Sequence, residues 1–248
     1  MSFKDHFSGH ASMYHEARPN YPPELFAWLA KQAPDTELAW DCGCGNGQAT
    51  TALAQHFARV VGTDPSANQI AIAEQRPNIE YRVESAEHST LERGSASLIA
   101  VAQALHWFDH NRYYREARRV LKPSGVFAAW CYSDCHSGNA DVDVLKDRLY
   151  IDLTGPYWPP ERALVDSAYA TLPFPFVKID APAFEMTAPW NVEQFLAYLR
   201  SWSATQRYQK ANGADPVAII EADLRAAWGD ASRVREVRWA FHLRVGRA

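Results

Sequence analysis

The chain is poor in several features that would each have pointed somewhere definite. It has only four cysteines in 248 residues, Cys42, Cys44, Cys131 and Cys135. That is too few to staple a chain of this length and fits a reducing, cytoplasmic setting. Their C-x-C and C-x₃-C spacings match no standard zinc pattern, so no metal site is expected, and small buried fillers at strand ends are the simpler reading. No stretch approaches the roughly 20 apolar residues of a membrane-crossing helix. The opening "MSFKDHFSGHASMYHEARP" lacks the apolar centre of a secretory signal. Positive charge is not in excess: 25 Lys and Arg against 29 Asp and Glu leave a formal net charge of −4, which argues against a broad nucleic-acid footprint. The basic run Arg112, Arg115, Arg118, Arg119 has the spacing of a solvated helix side. Internal repeats and low-complexity tracts are missing as well.

What is present is ordinary globular material, 47% apolar and 22% charged, enough for one large core. Pro22-Pro23 opens a helix with Leu25, Trp28 and Leu29 at i, i+3 and i+4. A short buried strand over 38–40 leads to a glycine-rich stretch, then to a helix over 48–57 with Ala49, Ala52, Leu53 and Phe57 on one side. "ARVVGTD" reads as a second strand, and "DPS" starts a helix over 66–75. "NIEYRVES" is a third strand, and the continuous apolar run "SLIAVAQAL" a fourth, covered on both faces. Tyr114, Ala117, Val120 and Leu121 mark the next helix, "KPSG" a turn, and "VFAAWCY" a fifth strand. This alternation predicts a parallel sheet with helices on both faces. Beyond Tyr132, "DVDVLKDRLYIDL", "NVEQFLAYLRSWSA" and "DPVAIIEADLRAAW" read as helices. "FPFVKIDAPAFEM" is extended, and "REVRWAFHLRVGR" is a closing strand.

The stretch "DCGCGNG", Asp41 to Gly47, concentrates backbone freedom between a strand and a helix. Glycine there permits a tight turn and close approach of a ligand to the main chain. A dinucleotide fingerprint G-x-G-x-x-G/A counted from Gly43 would need a small residue at position 48, which is Gln48. The pattern is instead D-x-G-x-G-x-G, which resembles motif I of the class I S-adenosylmethionine (SAM)-dependent methyltransferases. Asp64 ends the second strand 21 positions beyond Gly43, where an acid can hold ribose hydroxyls. "ESAEH", "AQALHWFD" and "RRVLKPSG" follow in the order that family shows. "YHEARPNYP" and "YLRSWSA" are similar to its small-molecule, trans-aconitate-methyltransferase-like (type 11) branch. One departure is Ser97, where members of the family often carry Asp.

The resemblance implies an α/β, Rossmann-like, doubly wound fold. Its mostly parallel sheet would have seven strands and an antiparallel final strand, with helical cap insertions. One methyltransferase domain is expected over 1–248: an N-terminal lid and first helix over 1–37, a SAM-binding core over 38–132, further sheet elements and a helical substrate cap over 133–236, and a closing strand over 237–248. By position, Gly43, Gly45 and Gly47 would shape the turn around the methionine half of SAM, and Asp41 would anchor its amino group. Asp64 would hold the ribose, Ala86 and Glu87 would meet the adenine, and Gln103 would lie at a ligand-binding strand end. Tyr14 belongs to a segment that could fold over the cofactor, and Trp107 could roof it.

His106 is a candidate general base, a candidate for orienting a carboxylate or SAM, or a packed side chain without chemistry. Arg18 suits a carboxylate clamp, and Trp202, Arg207 and Tyr208 are candidate substrate contacts. A carboxylate acceptor is already ionised at neutral pH and needs a positive clamp, whereas a phenol or amine needs a base. The expected activity is therefore SAM-dependent methylation of a small molecule on a carboxyl or hydroxyl oxygen, yielding S-adenosylhomocysteine, with no nucleic-acid or membrane partner. The alternatives are a SAM-binding protein without catalysis, or a methyltransferase of protein or RNA. A nucleotide-dependent oxidoreductase ranks last, because the glycine spacing is wrong.

Overall fold

The computed structural model describes residues 18–248. Strands β1 (Leu38–Cys42), β2 (Arg59–Asp64), β3 (Ile79–Val83), β4 (Ala96–Ala102) and β5 (Leu121–His136) are parallel, in the order β3-β2-β1-β4-β5. Helix α1 (Pro23–Gln32) precedes β1, while α2 (Gln48–Leu53), α3 (Ala67–Ala71) and α4 (His110–Val120) make the crossovers. β8 (Arg235–Arg247) returns antiparallel along β5, and β6 (Val177–Ile179) pairs with its far end. That path is the expected seven-stranded sheet. An eighth strand, β7 (Met186–Trp190), pairs with the first residues of β8.

The central strands are apolar on both faces because both are covered. Trp40, Ile99, Val101, Phe127 and Ala129 pack under Tyr113, Ala117 and Val120 of α4. Ala39, Leu98, Ala100, Val126 and Ala128 pack under Leu25, Phe26 and Leu29 of α1 and Leu53 of α2. Each large side chain sealed this way contributes about 1.5–3 kcal/mol. A third cluster lies over one end of the sheet. There α5 (Ala140–Asp147), α7 (Val192–Arg200) and α9 (Ala218–Trp228) gather Val142, Phe195, Leu199, Ile220 and Trp228 around Tyr132 and Trp239. Two further helices complete this cap, α6 (Arg162–Asp166) and α8 (Ser203–Asn212). None of the described helices is long and apolar enough to cross a membrane.

Several boundaries differ from the expectations, each for a local reason. The helix begun at Gln48 ends at Leu53, and turns carry the chain on to a buried Phe57. α3 stops at Ala71; Ser66 caps it by accepting from Gln69 N at 3.4 Å, but the Glu74 carbonyl turns away to accept from the Tyr81 hydroxyl at 3.2 Å. Phe26, rather than Trp28, completes the buried side of α1, and Trp28 meets Phe184 edge-on. Leu121 starts β5 instead of ending α4. "KPSG" bulges inside that strand, with Ser124 at φ 62°. The expected helix over 191–204 breaks at Trp202, whose extended backbone (φ −66°, ψ 137°) separates α7 from α8.

Ser97 is fully buried, and its hydroxyl donates to the Asp35 carboxylate, which also pairs with Lys122 at 2.9 Å. An acid absent from position 97 is thus supplied from position 35. Ser97 first, with help from Lys122, holds Asp35 down to about 2 despite some desolvation. We expect Ser97→Ala to lower stability by about 1 kcal/mol in urea denaturation at pH 7, the usual contribution of such a bond at a partly exposed acid. The effect should fade as pH falls through about 2, where Asp35 protonates in the folded state. An unchanged midpoint at pH 7 would contradict this.

Candidate functional site

The strand order reverses between β1 and β4, and the carboxyl ends of such strands frame the crevice in which α/β sheets bind ligands. The chain leaves β1 through Gly43, Gly45 and Gly47, at φ 73°, 54° and 88°. At Gly43 the requirement is double. Its backbone is left-handed, and a Cβ there would stand 2.7 Å from the Cβ of Ala104, at the end of β4. The turn is bound to β2: Gly43 N and Cys44 N both donate to the Thr63 carbonyl, at 2.8 and 3.0 Å. Gln48 donates to the Pro19 carbonyl at 2.9 Å and to Asn20 Oδ1 at 3.0 Å, which brings the chain before α1 against the turn.

Two carboxylates flank this loop. Asp41 is fully buried; its Oδ2 accepts from Thr50 at 2.6 Å, while Oδ1 has no partner among the described residues. Burial pushes its carboxyl up to about 7, against the Thr50 bond and with help from the charge of Asp64. Asp64 accepts from Gly45 N and Ser66 N, each at 2.9 Å. A glycine turn walled by two acids repels a pyrophosphate and suits a ligand that brings positive charge.

Around the same strand ends, Ala86 is buried in the core, and Glu87 accepts from Asp109 N at 2.9 Å, the residue that caps α4. Gln103 carries a left-handed φ of 53°, uncommon for this residue type. Its side chain bonds the Tyr132 main chain twice, Nε2 to the carbonyl at 3.0 Å and Oε1 from the amide at 2.7 Å. A one-turn 3₁₀ segment, Leu105–Trp107, follows; there the half-buried Trp107 ring lies 4.7 Å from that of His106. Tyr14 lies outside the described residues.

Beyond Gln103 a cavity of about 60 Å³ opens between the sheet end and the cap. Arg18, His106, Trp107 and Trp202, all anticipated, line it together with Tyr132, Tyr150, Trp158, Arg162 and Tyr198, which were not. Arg207 and Tyr208 do not line it; Tyr208 packs edge-on against Tyr157, 5.0 Å away on the cap. Arg18 spans the rim, Nη1 donating to the Tyr132 hydroxyl at 3.1 Å and Nη2 to the Ser201 carbonyl at 3.0 Å. Arg162 is held differently. Its Nε donates to Asp166 at 2.9 Å and to the Tyr150 hydroxyl at 3.0 Å, and its guanidinium lies over the Trp158 ring at 4.9 Å. Nη1 and Nη2 have no protein partner among the described residues. Tyr150 is aimed by a π-helical turn, Arg148–Leu153, an uncommon element that clusters at functional sites. His106 is buried, with Nδ1 2.9 Å from the Tyr169 hydroxyl. Burial above all, then the charges of Arg162 and His110, pushes it down to about 3, so it is neutral across the physiological range.

The state of Asp41 has a thermodynamic consequence. Between 3.8 and about 7 the folded protein keeps a proton that the unfolded chain has released. Without ligand, stability should therefore fall as pH rises through that window, by at most ~1.4 kcal/mol per pH unit from this group. Asp41→Asn should lack this decline. Urea titrations of both proteins at several pH values test it, and parallel curves would refute it.

The methyltransferase-domain family of type 11 matches residues 40–129. The chain is 34% identical over 229 residues to a provisionally named methyltransferase of Dictyostelium discoideum, spanning 91% of this chain and 87% of the relative. It is 31% identical over 129 residues to a Saccharomyces cerevisiae protein named as a SAM-dependent methyltransferase, covering 48% of this chain and 44% of that one. The solved structure of a provisionally named type II methyltransferase from Anaeromyxobacter dehalogenans superimposes with a TM-score of 0.85 at 45% identity, covering 93% of this chain and 97% of its own. Identity sustained along nearly the whole chain, in sequence and in space, makes the resemblance of the glycine turn one of descent: this protein belongs to the class I SAM-dependent methyltransferases, in their type 11 branch.

Proposed function

We propose that this enzyme, a SAM-dependent methyltransferase of small molecules, acts on the carboxylate of an organic acid. The observation that carries the reading is Arg162, which lines the cavity beside a neutral histidine and whose Nη1 and Nη2 have no partner among the described residues. An imidazole held near 3 has little capacity to take a proton from a phenol or an ammonium group. A carboxylate requires no such base. It requires a planar, charged fork, and a guanidinium braced by one carboxylate and two aromatic rings keeps its fork pre-organised.

The cofactor-side residues fit SAM on their own terms. The partnerless Oδ1 of Asp41 suits an ammonium group, and the second acid, Asp64, suits ribose hydroxyls once the ligand displaces its hold on Gly45. Gly43, Gly45 and Gly47 would border the methionine half, Ala86 and Glu87 the adenine, and Gln103 and Trp107 the boundary with the acceptor cavity. When bound, SAM supplies a methyl group on a positive sulfur. The protein's part is to hold the acceptor oxygen in line with it and to exclude water.

Two outcomes are expected. Arg162→Gln should raise KM for the acid about 30- to 100-fold, the loss of a charge-assisted bidentate contact, with SAM affinity unchanged. A panel of carboxylic acids and phenols assayed for methyl transfer checks the class, and turnover confined to phenols or amines would reject it. Below pH 7, SAM binding should release a proton, because its ammonium favours ionised Asp41; affinity should weaken as pH falls. Calorimetry at pH 6 in buffers of different ionisation heat detects this, and a buffer-independent heat would exclude Asp41 from the ammonium site.

A further inference from the structure

The hydroxyl of Tyr169 is sealed in the core, and its one side-chain partner among the described residues is Nδ1 of His106 at 2.9 Å. A buried phenol proton must be donated somewhere, and burial keeps this phenol from ionising. If His106 carried its proton on Nδ1, it would donate to the phenol oxygen, and the phenol's own hydrogen would be left without an acceptor among the described residues. Donation by Tyr169 to a bare Nδ1 leaves the ring proton on Nε2. That nitrogen has no protein partner among the described residues, and His106 lines the proposed acceptor cavity.

The chain supports this contact at some expense in backbone conformation. Ala168 and Tyr169 are consecutive left-handed residues, at φ 55° and 58°, and neither is glycine. They are bolted in place: Tyr169 N donates to the Leu164 carbonyl at 2.8 Å. Arg244 Nη1 donates to the carbonyls of Tyr169 and Leu172, at 2.7 and 2.9 Å. Strain of this kind persists where the surroundings over-determine a residue, often beside a functional site.

We infer that Tyr169 is a positioning residue that fixes His106 as the Nε2–H tautomer, so that His106 serves the cavity as a hydrogen-bond donor to an acceptor oxygen of the substrate and not as a base. This rests on the cavity being the acceptor site proposed above. With Arg162 it would give an organic acid two donors of different kind, a charged fork and a neutral N–H.

The test separates the two readings. ¹⁵N–¹H correlation spectra of the imidazoles in the full chain without acceptor, with His106 assigned by its loss in His106→Gln, report the tautomer directly. We expect Nε2–H in the wild type and a mixture of tautomers in Tyr169→Phe. Under steady-state assay, Tyr169→Phe should raise KM for the acceptor about tenfold, with SAM affinity unchanged. His106→Gln, whose amide can still donate, should retain more activity than His106→Leu. An Nδ1–H tautomer in the wild type, or the same single tautomer in Tyr169→Phe, would overturn the inference whatever the acceptor proves to be. A phenol or amine acceptor would instead reject the carboxylate reading and leave the tautomer result standing.

Discussion

Asp41 stands at the carboxyl end of a fully buried strand with one oxygen on Thr50 and the other without a donor among the described residues. A carboxyl in that position is unfavourable in the ligand-free protein, and its proximity to Asp64 adds to the strain. The surrounding architecture follows from accommodating it. The glycine turn curls around it, Thr63 fastens the turn to the neighbouring strand, and Gln48 brings the preceding chain close. The site is built around a deficit of positive charge, and a cationic ligand removes that deficit.

The cavity proposed for the acceptor depends on the cap in a different way. Arg162 keeps its fork open because its other edge is occupied by Asp166 and Tyr150, and because Trp158 and Tyr150 support its plane. Tyr150 in turn is presented by a π-helical turn and packs edge-on to Trp202 at 5.6 Å. Trp202 reaches the cavity because the helix breaks there. A chain of irregular backbone features thus ends in one regular chemical group.

The core was legible in the residues because its requirements are local. Trp40 and Ala39 alternate across a strand, three glycines interrupt it, and Asp64 closes the next one; each can be read within a few positions. The cap was not legible in that way. Nothing in "PPERALVD" marks Arg162 as different from the arginines of α4, three of which lie exposed on the solvent side as their spacing implied. Its role depends on Trp158, Tyr150 and Asp166 converging through packing that no periodicity encodes. The bulky "WPPER" run and the tyrosine ahead of it were the available signal. Arg207 and Tyr208 were read as substrate contacts from their place on the late helical region alone, and the structure leaves both outside the cavity lining, with Tyr208 packed on Tyr157. Tyr169 was invisible for the same reason, since its pairing with His106 spans 63 positions.

β5 runs from the sheet centre into the cap. Its residue Tyr132 is gripped by Gln103 on the cofactor side, and the register shifts between Tyr132 and Cys135, where Ser133 and Asp134 border the cavity. The cavity and the glycine-turn crevice are therefore linked by a continuous length of strand. If the cavity is the acceptor site proposed above, sequence drift in the cap can recut it while the distance a methyl group must travel stays ruled by one strand.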